Sequence, residues 1–182
     1  MTDQGRAMER FLASVEKQAY QLAAIAVGNR DGALDLVQDA MLGLVRHYAT
    51  RSEEEWRPLF FRILQSRIRD WYRRERVRQH WRGWLERWRG DGEEDDDPFD
   101  EVPAPASSNP AHRLESSAAM AALVAALRRL PLRQQQTFLL RAWQGLSVEE
   151  TAQAMRCTAG SVKTHYSRAV HALRERLEGH WP

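Results

Sequence analysis

The sequence predicts an all-α protein: two small helical domains joined by a flexible acidic linker, the C-terminal domain carrying a helix-turn-helix. Three observations predict this class. Apolar residues recur at steps of three and four along most of the chain, and no segment alternates as a strand would. Residues 90–110, GDGEEDDDPFDEVPAPASSNP, break that pattern with Asp, Glu, Pro, Gly and Ser and few large apolar residues, the composition of a disordered tether. Residues 145–177, GLSVEETAQAMRCTAGSVKTHYSRAVHALRERL, carry the caps and faces of two helices and a tight turn. The expected boundaries are 1–89, a linker over 90–112, and 113–182.

The first helical pattern covers residues 6–27 and stops at Gly28-Asn29, a left-handed C-cap. Asp31 is positioned to cap a second helix. Its apolar stripe is Leu34, Val37, Met41, Leu44, Val45 and Tyr48, and its opposite face carries Asp35, Gln38 and Asp39. Ser52 and Glu55 have capping-box spacing. Pro58 lies too deep for one uninterrupted helix, so a short turn and a restart near Pro58 are expected. From there Phe60, Ile63, Leu64, Ile68, Trp71 and Tyr72 form a third stripe that runs into an arginine-rich stretch. The second half offers helices over 116–130, 132–143, 148–155 and 159–178, punctuated by Pro131 and Gly145.

Within the helix-turn-helix, Ser147 and Glu150 form a capping box, and Val148, Ala152 and Met155 make the apolar side of the first helix. Arg156-Cys157-Thr158 is the turn, with Thr158 as N-cap of the next helix. Val162, Tyr166, Ala169, Leu173 and Leu177 then share one face. The other face shows Lys163, Thr164, Ser167, Arg168 and His171, side chains suited to phosphates and to base edges in a major groove. An ordinary αα-hairpin with a solvated outer face is the competing interpretation of this segment alone.

Composition narrows the function classes. The single cysteine, Cys157, excludes an internal disulfide and a cysteine-rich zinc site, and reads as a structural thiol in the turn. No apolar run approaches the roughly 20 residues that span a bilayer, and the start of the chain lacks a signal-peptide pattern. A cytoplasmic protein without membrane insertion is expected. The net charge of +2 conceals a segregation. Ten arginines fall between Arg62 and Arg89 against Asp70, Glu75 and Glu86, and eight carboxylates follow between Asp91 and Glu101. The six histidines are scattered, and there is no glycine-rich phosphate loop, metal-ligand spacing or nucleophile–base pair. No catalytic residue, metal or cofactor is expected.

Three stretches carry a family resemblance. Residues 33–40 (ALDLVQDA), residues 59–70 (LFFRILQSRIRD), and residues 130–134 (LPLRQ) with 145–152 (GLSVEETA) resemble, in this order, the extracytoplasmic-function sigma factors of the sigma-70 family. Leu59 stands where the family usually has tryptophan, Ser66 where it has asparagine, and His165 where it has a second arginine. The resemblance implies a dissociable specificity subunit that directs promoter recognition, melting and initiation at a particular regulon. The implied partners are core RNA polymerase through its β′ and β subunits, promoter DNA, and an anti-sigma factor.

The same resemblance distributes roles. Asp35, Leu36, Gln38 and Asp39 would meet the β′ coiled coil. Arg62, Ser66, Arg67, Arg69, Asp70, Trp71, Tyr72, Arg73 and Arg74 would hold the −10 element. Arginines neutralise phosphate there, and aromatics, Phe61 included, stack on unpaired bases; Trp71 and Tyr72 lie close enough to the apolar stripe to serve equally as core. Arg133, Arg156, Ser161, Lys163, Thr164, His165, Ser167 and Arg168 would contact the −35 element, with Arg168 reading guanine, Lys163 on phosphate, and Arg133 and Arg156 clamping the backbone. The acidic linker would thread towards the RNA exit channel, or serve as a solvated tether. Trp81, Trp84, Leu85 and Trp88 share one face and are expected to pack back on the first domain, with docking of an inhibitor as the alternative. A stand-alone helix-turn-helix regulator is the main rival, but it has no use for a basic-aromatic strand-binding helix.

Overall fold

The computed structural model describes residues 3–89 and 110–177, with side chains described except at 79–89 and 110–117. The expectations for the linker and for the Trp81–Trp88 face lie outside the described residues. The described residues contain α1 (Asp3–Val27), α2 (Arg30–Tyr48), α3 (Glu53–Arg89), α4 (Pro110–Arg128), α5 (Leu132–Phe138), α6 (Val148–Met155) and α7 (Ala159–Leu177), with no strand among them. A π-helical turn, Leu139–Trp143, extends α5.

In the first half, α1 ends where Gly28 enters the left-handed region, φ 77°, and donates its N–H to the Ala24 carbonyl at 3.0 Å. Asn29 follows in extended conformation, and its side-chain oxygen accepts the Gly32 N–H at 2.7 Å. The cap of α2 is therefore Asn29, not Asp31. Asn29 has the extended backbone of an N-cap, and its carbonyl accepts the Ala33 N–H at 3.2 Å. On α3, Trp56, Phe60, Leu64 and Ile68 recur every four residues and are fully buried. The Phe11 ring of α1 lies 5.8 Å from Trp56 and 6.2 Å from Phe60. At Gly43 a β-carbon would come within 3.3 Å of Ile63, so glycine there lets α2 approach α3.

Helix α3 does not restart at Pro58; it runs through it. Proline forfeits the bond to the carbonyl four residues back, at Glu54, and Glu54 is an exposed residue of the first turn, where the helix end has most room to adjust.

In the second half, α4, α5 and α6 pack around α7. Phe138 stacks on Tyr166 at 6.1 Å and 14° between planes. The expected single helix over 132–143 widens at Leu139, where the Gln144 N–H reaches back to the Leu139 carbonyl at 3.0 Å. The widened turn lets the adjacent Leu139 and Leu140 both enter the core.

The two halves lie against each other, with α3 packed along α6 and one continuous apolar core. Arg57 of α3 donates to the Gln144 carbonyl, and Gln144 Nε2 donates to the Gln18 carbonyl of α1 at 3.3 Å. Arg128 of α4 reaches the Ile25 and Ala24 carbonyls at the end of α1, each at 3.4 Å.

Candidate nucleic-acid interface

Local chemistry positions α7. Ser147 Oγ accepts the Glu150 N–H at 3.0 Å, and the Glu150 carboxylate accepts the Ser147 N–H at 2.7 Å, a complete capping box. Helix α6 then ends at Arg156 in the left-handed region, φ 51°. A non-glycine residue there carries strain, offset by Arg156 and Cys157 N–H bonds to Gln153 and Ala152. Thr158 Oγ1 accepts the Ser161 N–H at 3.1 Å and starts α7. Val162, Ala169, Leu173 and Leu177 face the core, leaving Lys163, Thr164, Ser167, Arg168 and His171 exposed on the outer side.

Some residues assigned to the −35 element also make contacts within the fold. Arg133 donates to the Met155 carbonyl at 2.9 Å and closes the end of α6. The Ser161 hydroxyl pairs with Thr158 in the cap at 2.9 Å. Thr164 donates to the Gly160 carbonyl at 3.0 Å and keeps its oxygen free to accept. His165 is half-buried with Nδ1 unpaired on the protein. Burial, then the charges of Arg133 and Arg168, push its pKa below the usual imidazole range, so it is neutral at pH 7. Arg156, Lys163, Ser167 and Arg168 stand exposed.

On α3 the residues assigned to the −10 element are mostly engaged. Arg62 donates to the Tyr48 hydroxyl at 3.1 Å and lies 5.9 Å from that ring's centre. Arg67 sits 3.9 Å from Asp39 of α2. Asp70 accepts Arg73 at 3.0 Å through its carboxylate and Arg74 at 3.4 Å through its carbonyl. Trp71 meets Tyr72 edge-on at 5.2 Å, and Tyr72 donates its hydroxyl to the Ala26 carbonyl at 2.6 Å. Burial raises the Tyr72 pKa, opposed by Arg128 and Gln135. Arg69 is half-buried, with Nη1 unpaired; burial and then the Arg133 charge lower its pKa, while Asp70 opposes. Ser66 is half-buried. Phe61 is fully buried, so it is a core residue and not a stacking platform.

Helix α2 corrects one assignment. Leu36 is only 4% exposed and belongs to the core with Ala33, Val37, Ala40 and Leu44. Leu34 and Val45, expected in that stripe, are 40% and 42% exposed, and Leu42 is 51% exposed. Alanines carry little apolar signal, and the sequence stripe drifted towards the bulkier neighbours. The outer face of α2 thus combines Asp35, Gln38 and Asp39 with exposed Leu34 and Val45, expected as buried, and with Leu42, which the sequence analysis did not single out. Among the described residues no cluster of three His, Cys, Asp or Glu side chains is placed to hold a metal. No helix among them is long and apolar enough to cross a membrane.

Residues 7–78 match the family model for Sigma-70 region 2, and residues 120–173 match that for Sigma-70, region 4. Over 64 residues the chain is 42% identical to the RNA polymerase sigma-E factor of Streptomyces antibioticus, covering 35% of this chain and 36% of that protein. It is 45% identical over 65 residues to the ECF RNA polymerase sigma factor BldN of Streptomyces coelicolor, covering 36% and 25%. The aligned stretch thus spans about a third or less of these relatives. The sigma factor RpoE of Bartonella quintana, solved with the anti-sigma factor NepR, shares the fold at TM-score 0.62 and 22% identity over 98% of both chains. CnrH, solved with the cytosolic domain of CnrY, does so at TM-score 0.64 and 18% identity over 96% of this chain and 90% of that one. With the region 2 and region 4 models matched in succession, the chain belongs to the sigma-70 family, among its extracytoplasmic-function members.

Proposed function

We propose that this chain is a sigma factor that binds core RNA polymerase through the outer face of α2, engages the −10 element through α3 and reads the −35 element through α7. The observation that carries this reading is the face of α2. Asp35, Gln38 and Asp39 share it with exposed Leu34, Leu42 and Val45. Solvated helix faces do not gather large apolar side chains in a row beside carboxylates; protein-docking faces do. A stand-alone operator-binding regulator has no use for such a surface.

The remaining assignments follow from chemistry. Arg168 and Lys163 extend from α7 into solvent, so Arg168 is suited to a guanine edge and Lys163 to phosphate. Arg67, Arg73 and Arg74, all exposed, suit the backbone of the −10 strand, and Trp71, half-buried at the end of the apolar row, suits an unpaired base during melting. The solved complexes of RpoE with NepR and CnrH with CnrY support an inhibitory protein partner of the same kind for this chain. Binding of labelled chain to core polymerase, read by fluorescence anisotropy, tests the reading. Nanomolar binding weakened at least tenfold by Asp35→Ala with Leu42→Ser is expected. Tight operator binding by the chain alone, with no affinity for polymerase, would hand the case to the stand-alone regulator.

A further inference from the structure

We propose that the tryptophan row at the end of α3, at Trp81, Trp84 and Trp88, is a further binding face for single-stranded nucleic acid, continuing the outward face of the same helix. That the strand is promoter DNA rests on the sigma-factor reading above. The surface itself follows from the register of α3 and needs no polymerase.

Helix α3 is one helix from Glu53 to Arg89, so a single register runs through it. The region 2 match ends at residue 78, and the three tryptophans lie beyond it on the same helix. Counted back from Trp88 in alternating steps of four and three, the row passes Trp84, Trp81 and Val77. It then reaches Arg74, Asp70 and Arg67. The described part of this row is turned to solvent. Arg67 and Arg74 are exposed, the Asp70 side chain keeps 40% of its surface, and Val77 is 54% exposed.

The opposite side of α3 meets the rest of the fold. Ile68 is fully buried there, and Tyr72 donates to the Ala26 carbonyl. Steps of three and four from Tyr72 pass Glu75 and arrive at Gln79, Gly83 and Glu86, positions without a large apolar residue. A helix end shaped to pack back on its own domain would carry its apolar residues on that side. The tryptophans instead occupy the register of exposed Val77, which argues against the packing expected from sequence.

Charge selects the occupant. Arg73, Arg76 and Arg78 stand exposed around the row, and Arg82, Arg87 and Arg89 follow in the sequence against Glu86 alone. Tryptophans interleaved with arginines match a strand of unpaired bases: guanidinium groups take phosphates and indoles take base faces. A duplex keeps those faces within its own stack, so a single strand is the ligand. Arg67, Arg73 and Arg74, proposed above for the backbone of the −10 strand, lie on or beside the same row. One strand can therefore pass from them onto the tryptophans. From Arg74 to Trp88 the row extends about 21 Å at 1.5 Å per residue, enough for several nucleotides.

Fluorescence anisotropy of a short fluorescein-labelled oligothymidylate, titrated with the full chain, tests the inference. The free chain should bind it, since the described part of the row is exposed without polymerase. Trp81→Ala, Trp84→Ala and Trp88→Ala should each weaken binding about fivefold or more, with the slope of affinity against salt unchanged. Trp84→Phe should retain most of the affinity, and Arg78→Gln with Arg82→Gln should lower the salt slope. Urea unfolding of the triple tryptophan variant should match that of the wild type. A destabilised triple variant would show the row to be packed in the fold and overturns the inference, as does unchanged oligothymidylate affinity. Core polymerase separates the two readings, because the triple variant should bind it as the wild type does. Weakened polymerase binding with unchanged oligothymidylate binding makes the row a protein-docking face and overturns the inference. Tryptophan-dependent oligothymidylate binding by a chain without affinity for polymerase supports the inference and overturns the sigma-factor reading.

Discussion

The outer face of α7 and the arginine-rich face of α3 carry similar residue types, yet they stand in opposite conditions. On α7, Lys163, Ser167 and Arg168 project into solvent from a helix whose other side is core. On α3, Arg62 rests on Tyr48, Arg67 approaches Asp39, Asp70 gathers Arg73 and Arg74, and Tyr72 is tied to Ala26. A contact made by the first face adds bonds. A contact made by the second exchanges bonds already formed, so its net gain is smaller and depends on what is released. On the proposed reading, α7 is preformed for duplex, whereas α3 would exchange existing contacts before holding a strand.

Four substitutions break or sharpen that contrast. The largest effect belongs to Phe61→Ala. With Phe61 fully buried, the variant should lose about 3–5 kcal/mol of stability in urea unfolding; a stable variant with weakened strand binding alone would restore Phe61 as a stacking platform. Arg168→Ala should weaken −35 recognition by holoenzyme by about 1–3 kcal/mol and relax specificity at one position, leaving unfolding and polymerase affinity unchanged. Loss of polymerase affinity in that variant would show the roles of α2 and α7 to be wrongly divided. Ser147→Ala removes an acceptor at 3.0 Å from the capping box and should cost about 1 kcal/mol in thermal unfolding, with −35 affinity following through a frayed α6.

The smallest effect concerns pH. The folded pKa of His165 is lowered, chiefly by burial and then by Arg133 and Arg168. The unfolded chain therefore binds this proton more readily, so the contribution is fully present above the ordinary imidazole range and is lost as pH falls through it. His165→Gln should flatten that part of the stability–pH curve; a curve identical to wild type would mean His165 titrates normally.

Local features were legible in the sequence, and long-range ones were not. The Ser147–Glu150 box and the Thr158 cap act over three residues, and the outer face of α7 follows from helical period alone, so each is readable. Of the expected α2 stripe, Val37 and Leu44 are buried and Met41 and Tyr48 pack partly buried against the core, while Leu34 and Val45 are exposed. Ala33 and Ala40, which are fully buried, look less apolar than the exposed Leu34 and Val45. Pro58 looked like a boundary because sequence shows the lost hydrogen bond but not that the residue left without it, Glu54, is exposed in the first turn. The widened turn at Leu139 has no sequence signature that we can identify. The contact between the two halves was invisible because its partners are remote: Arg57 and Gln144 lie 87 residues apart, and Arg128 and Ile25 lie 103 apart. The occupied state of α3 follows partly from contacts with α1, α2 and the second half, which periodicity does not report, and partly from the Asp70 contacts with Arg73 and Arg74 within α3.

The most direct test of the central claim is transcription from fragmented genomic DNA of the source organism by purified core polymerase, with and without this chain, read by sequencing RNA 5′ ends. A sigma factor should add a discrete set of start sites absent with core alone, sharing one −35 and one −10 sequence, and Arg168→Ala should deplete that set. No added start sites from a chain that nonetheless binds core polymerase would contradict the account.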